Sequence, residues 1–165
     1  MFPLTLLCTN KLLNLLTANN ALSQAVNANA AMAGVVLAPL NTGQIIASFA
    51  APDMGDLDLQ FSYPRVCISS NQVVNNQREK FRTFSGVVAV AANVWSSASL
   101  EQQTELALHF YVEGICALLR ANIGDWGDGC RYSGIYDARL QTPKTGGAGF
   151  VQSAAMTVNL EVSFN

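Results

Sequence analysis

The sequence predicts an α+β fold: a mainly antiparallel sheet of four to five strands, one long helix packed on it, and a helix at the N-terminus. Three observations lead there. Residues 150–165 alternate, with Ala154, Met156, Val158, Leu160, Val162 and Phe164 on one side and Ala155, Thr157, Asn159, Glu161 and Ser163 on the other. Successive side chains of a strand point to opposite faces, so this is a strand with one buried and one wetter face. Residues 81–95 read as a second long strand, with Val88, Val90, Ala92 and Val94 on one face. Between the two lies a 3.6-residue periodicity long enough for several helical turns.

Taken in order, residues 3–16 fit a first helix, because Leu4, Leu7, Leu12, Leu15 and Leu16 recur near helical spacing and Pro3 suits a first turn. The Asn- and Ala-rich stretch 17–33 extends that helix or forms a short second one. Gly34 and Pro39 bracket an apolar run, 35–38, read as a short strand. Residues 44–50 form another, ended by Pro52. Asp53, Asp56 and Asp58 around Gly55 make a solvated acidic turn, since no Glu follows at the position that closes a calcium loop. Residues 63–68 are a short strand, with Pro64 placing it at a sheet edge or a strand start. Residues 71–77 read as a polar loop, and Gly86 as a bulge.

Ser99 followed by Gln102 reads as a capping box opening the helix, which stops at Asn122 and Gly124. Leu108, Val112, Ile115 and Leu119 form its main stripe. Ala107, Phe110, Tyr111, Gly114 and Leu118 widen that stripe beyond what one sheet contact needs, so a second contact is expected. Residues 125–129 are a turn-rich link, and 130–140 a strand interrupted by Gly134. Thr142, Pro143, Lys144, Thr145, Gly146, Gly147, Ala148 and Gly149 read as a projecting, glycine-rich loop, longer than a tight hairpin turn.

At 165 residues the chain reads as a single domain, 1–165, with a segment 1–60 ahead of a sheet–helix core 61–165. Only 12% of residues are charged and 50% are hydrophobic, with a net charge of −2. Soluble domains carry roughly 25% charged residues. Two readings follow: a surface that faces other subunits, where charge is depleted, or a monomer solvated by its many amides and hydroxyls. The mild acidity disfavours binding through nucleic-acid phosphates. Arg78, Lys80 and Arg82 would share one strand face as a small solvated ridge.

The chemistry-bearing residues are sparse. Cys8, Cys67, Cys116 and Cys130 have no CxxC or metal-ligand spacing; reduced thiols are expected, with Cys67 and Cys116 buried in apolar patterns, the other reading being two disulfides in a secreted protein. The N-terminus has neither a basic stretch nor a small-residue cleavage site, so no signal peptide is expected, and no run reaches the roughly 20 apolar residues of a membrane span. His109 is the only histidine. Spaced by four from Glu105 and Glu113, it reads as part of a polar helix stripe rather than a zinc site. Asp125 and Asp128 flank Trp126 as turn residues rather than an acid–base pair. The glycines of 145–149 lack the lysine and hydroxyl of a phosphate loop. No cofactor, metal or catalytic residue is expected, and the chain does not read as an enzyme.

From Tyr63 to Asn165 the order of elements resembles the tail terminator and related neck proteins of long-tailed bacteriophages. The resemblance rests on residues 63–68 (YPRVCI), the strand 81–90 (FRTFSGVVAV), the helix with its centre at 111–115 (YVEGI), the Asp125–Trp126 turn, residues 131–134 (RYSG) and the closing strand. It implies a structural virion protein: a homo-oligomeric ring, a hexamer in that family, at the head-proximal end of the tail. Such a ring ends tail-tube polymerisation, joins the head connector and lets DNA pass through its lumen. It further implies a tail tube protein and a head-closure or connector protein as partners, and assembly in the host cytoplasm into the virion. The loop 142–149 would be the surface that reaches a neighbour or the tube. Other readings are a head-closure or connector neck subunit, and a small ligand-binding module using Trp95, Tyr63 and Tyr132.

Overall fold

The computed structural model describes residues 3–48, 62–77, 79–146 and 149–165. The fold is α+β, as expected, but with a larger and mixed sheet. Helix α1 (Leu4–Thr17) and helix α2 (Ala21–Met32) come first, followed by strands β1 (Ile45–Ala47), β2 (Arg65–Asn75) and β3 (Phe84–Ala98). Then come helix α3 (Glu101–Ala121) and strands β4 (Gly124–Gly127), β5 (Cys130–Leu140), β6 (Lys144–Gly146) and β7 (Gly149–Phe164). These make one 7-stranded sheet in the order β1-β2-β3-β7-β5-β4, with β6 also on β7. The expected mainly antiparallel sheet of four to five strands is refined on two points. β1 runs parallel to β2, and β4 and β6 are strands rather than link and loop.

β7 holds the sheet together. It pairs with β3 along its whole length, from Phe164 opposite Phe84 to Phe150 opposite Ala98, and with β5 and β6 on its other side. The even-numbered residues of β3 and β7 face the helices, where Val88, Val90, Ala92, Val94, Met156, Val158 and Leu160 are fully buried. α1 and α3 lie on this one face, their buried Cys8, Leu12, Leu16, Leu108, Ile115 and Leu119 completing a single core.

α2 is the second helix. It packs on α3 at Gly114, where a Cβ would stand 2.6 Å from Val26 Cγ2. The second contact expected for the overly apolar α3 is therefore made within the chain. At its start no side chain caps α3. The N-cap is Leu100, not Ser99, and its carbonyl accepts from Thr104 N at 3.1 Å and Thr104 Oγ1 at 3.2 Å, so the capping box is not formed.

Other expectations are also corrected. Residues 35–38 are not a strand. β2 runs on through the stretch read as a polar loop, because exposed edge residues need no apolar character; its register shifts between Ser70 and Gln72. Gly86 is no bulge. It lies under β2, where a Cβ would meet the Val74 carbonyl at 1.9 Å. Lys80 sits in a turn and Arg82 in the link after it, neither on a strand, and Arg78 lies outside the described residues, as do Pro52, Gly55, Asp53, Asp56 and Asp58. The Gly134 interruption is found: Gly134 has φ +96°, and the β5–β7 register shifts between Tyr132 and Tyr136.

Candidate assembly surfaces

Where it is described, the glycine-rich stretch is the arm of a hairpin rather than a free loop. Lys144 pairs with Val151 and Thr145 with Phe150, and Gln141 N donates to Ser153 O at 2.8 Å. Glycine serves close packing here as much as flexibility, since a Cβ on Gly149 would lie 2.4 Å from the Ala98 carbonyl. Thr142, Lys144 and Thr145 are exposed and Pro143 is half-buried, while Gly147 and Ala148 lie outside the described residues. Gly146 ends β6.

Two stretches of strand edge carry no pairing strand among the described residues. β1 covers β2 only from Val66 to Ile68, and Ser48 N continues that edge by donating to the Ile68 carbonyl. At Ser70 the first helix seals the edge: Ser70 N donates to Thr9 Oγ1 at 3.0 Å and Ser70 Oγ to the Thr5 carbonyl at 2.8 Å. Beyond it Asn71–Asn75 are exposed, with Val73 and Val74 among them. On the other side of the sheet, β4 covers β5 only from Cys130 to Tyr132. The rest of that edge, through Ile135 to Leu140, is largely exposed.

Away from the helices, the middle of the sheet is lined by small and neutral residues, Ala89, Ala91 and Asn93 on β3 with Ala155, Thr157 and Asn159 on β7, flanked by charged Glu161 on β7 and Arg131, Asp137 and Arg139 on β5. At one end it closes over a small cluster of Cys67, Trp95 and Val151, packed by Ile46 and Tyr63. Trp95 and Tyr132 are fully buried. The aromatic contact set named for a ligand-binding module is thus spent in packing, and Tyr132 lies on the opposite, helical face.

The ionisable residues are dispersed. His109 stands exposed on α3, 3.8 Å from the Glu105 carboxylate. Glu113 is paired instead with Arg120, whose guanidinium also donates to Tyr136 Oη; these bonds hold the Arg120 pKa above its usual value. Asp128 receives Lys11 Nζ at 2.6 Å, and the same ammonium reaches the Trp126 carbonyl at 2.7 Å, clipping α1 to the β4–β5 hairpin. Asp125 accepts from Gly127 N at 2.8 Å as a turn residue. Glu105, His109 and Glu113 are not gathered into a site, and among the described residues no group of three or more His, Cys, Asp or Glu side chains could hold a metal ion.

All four cysteines are free and buried. Spacing did not reveal that Cys8 and Cys130 meet: their thiols interact across the α1–β5 contact, raising the pKa of Cys8 and lowering that of Cys130. Burial raises the other two, Cys67 and Cys116. It also pushes the phenols of Tyr111 and Tyr132 up to about 12. Tyr111 Oη donates to the Ala38 carbonyl at 2.8 Å, whereas Tyr132 Oη has no hydrogen-bond partner among the described residues.

No helix among the described residues is long and apolar enough to cross a membrane. No protein family model matches the chain, and no curated protein does either.

Proposed function

We propose that the chain is a structural subunit of a bacteriophage tail, forming a ring at its head-proximal end that stops tube polymerisation and joins the tail to the head connector. The observation that carries this reading is architectural. Two long strands, a helix, a hairpin and a closing strand follow one another in an order that resembles that family's, in one sheet with α1 and α3 packed on one face and α2 on α3. Low charge supports it, since interface cores are depleted of charged residues. In this reading the chain acts through its surfaces and not through a reaction, and the hairpin arm 142–149 is the candidate contact to a neighbour or to the tube. The ligand-module alternative is weakened by the burial of Trp95 and Tyr132.

The test is genetic and visual. In a phage carrying this gene, its deletion should leave overlong tails without heads in electron micrographs of the lysate. Tails of normal length lying apart from intact heads would instead assign a head-closure role. Infectious particles of normal appearance would overturn both.

A further inference from the structure

The two open edges lie at opposite ends of one sheet and are complementary. We infer that copies of this chain join edge to edge, the β2 edge at Asn71–Asn75 of one copy pairing antiparallel with the free β5 edge, to Leu140, of the next. The inference deepens the ring reading by naming the surface through which the ring closes.

Strand direction comes first. β2, β3, β7 and β5 are successively antiparallel, so β5 runs opposite to β2. A second copy placed beside the first, with its helices on the same side, therefore brings its β5 against β2 in antiparallel register. That is the ladder adjacent strands readily form. Direction of the backbone groups comes second. Ile68 faces the helices and turns its carbonyl outward to Ser48. Val73 lies opposite Val88 on that same helical side, so its amide also points out of the sheet. On β5, Ala138 lies opposite Met156 on the helical side, while Gln141, of the other parity, turns its amide inward to Ser153. Ala138 therefore presents its amide outward. Composition comes third. Edges that must stay single carry Lys, Pro or inward charge. Asn71–Asn75 have none of these, and Val73 is 43% exposed.

The covered stretches then set a stagger. Val73, Val88, Leu160 and Tyr132 lie at one level of the sheet, and Ile68, Ala92, Met156 and Ala138 at another. Because β1 blocks the lower part of the β2 edge and β4 the upper part of the β5 edge, the neighbour must shift along the strands. The shift is at least the four residues from Val88 to Ala92. Over four strands about 4.8 Å apart, a rise of about 3.3 Å per residue makes this a tilt of about 35° or more. Closed barrels tilt their strands by about 35–45°. Viewed from the helical side with β2 upward, β1 is on the right, so the right-hand neighbour sits higher. Strands that coil with their ordinary right-handed twist rise this way when the helices are outside. The face at Ala89, Ala91, Asn93, Thr157 and Asn159 then lines the interior, together with the charged Arg131, Asp137, Arg139 and Glu161 of the same face.

A join of one strand pair is small, at the weak end of specific interfaces, and gains from closure because the last contact of a ring is intramolecular. Val73→Pro and Ala138→Pro each remove one outward amide and leave the inner ladder intact, with folding checked by circular dichroism and melting. By light scattering after size exclusion, the wild type at high micromolar concentration or with tail tubes should form a ring, and each variant should be monomeric. Mixed together they should form a dimer that grows no further, because each retains one competent edge. Where a proline variant fails to fold, Val73→Lys or Ala138→Lys takes its place. Rings from either variant, or from their mixture, overturn the edge assignment and leave the ring reading standing. A wild type that is monomeric under every condition overturns both.

Discussion

At the scale of single residues, close packing and burial decide more than charge does. Gly114 lets α2 approach α3, and valine there would be driven into Val26. Gly114→Val should lower stability by about 1–3 kcal/mol, the usual cost of overpacking. Combining it with Val26→Ala should recover part of the loss, which a double-mutant cycle in urea would measure. The two shifted tyrosines make opposite predictions. Tyr132→Phe removes a buried hydroxyl with no partner among the described residues and should be neutral or stabilising, whereas Tyr111→Phe loses the bond to Ala38 and should cost about 1 kcal/mol. Both phenols hold their protons more tightly folded than unfolded, with values near 12 against an ordinary 10. Above pH 10 the unfolded chain releases protons that the folded chain keeps. Stability is therefore complete below pH 10 and falls as the pH rises towards 12. Each Tyr→Phe change should flatten that fall, as read from denaturation midpoints across the range.

At the scale of elements, the sequence was most legible where one period runs without interruption. The alternation of 154–164 and the stripe of Leu108, Val112, Ile115 and Leu119 placed β7 and α3 because burial enforces both patterns. β2 was half legible: its covered part is apolar, whereas its open edge reads Asn-Gln-Val-Val-Asn and so resembled a loop. The hairpin arm was missed because its glycines suggested mobility, whereas Gly149 is fitted against Ala98. The β4–β5 turn shows the Asp-Gly signal plainly. Asp128 and Gly129 have φ of 53° and 73°, the positive pair that a two-residue hairpin with matching twist requires. A Cβ on Gly129 would also lie 2.3 Å from the Ser163 carbonyl. Gly129→Ala should cost about 1–3 kcal/mol in thermal or chemical denaturation. Lys11→Met, which loses only a partly exposed ion pair and one hydrogen bond, should cost less, about 1 kcal/mol.

At the scale of the whole molecule, the helices all lie on one side of the sheet, and the other side presents mainly small, neutral side chains over β3 and β7. Composition hinted at this through its low charge but misassigned part of the cause. The apolar surplus of α3 is met in part by α2, while Leu106 stays 45% exposed. The candidate contacts lie instead at strand edges and in the hairpin arm, where pairing depends on backbone groups that every sequence shares. Backbone pairing has no side-chain signature, so the strand edges could not be located before the strand order was known, whereas the arm 142–149 was already marked by its glycines.

The central position of β7 also sets how the molecule opens. Its residues 154–162 are flanked by strands on both sides, joined to partners distant in sequence. Local fraying cannot free those amides, so their exchange with deuterated solvent should require global unfolding and report the full stability of the chain. The outward amides of Val73 and Ala138 should exchange within the first moments in a monomer. Were copies to join at these edges as proposed, the same amides should slow towards the rate of subunit dissociation, so one labelling time course would read the folding and test the join.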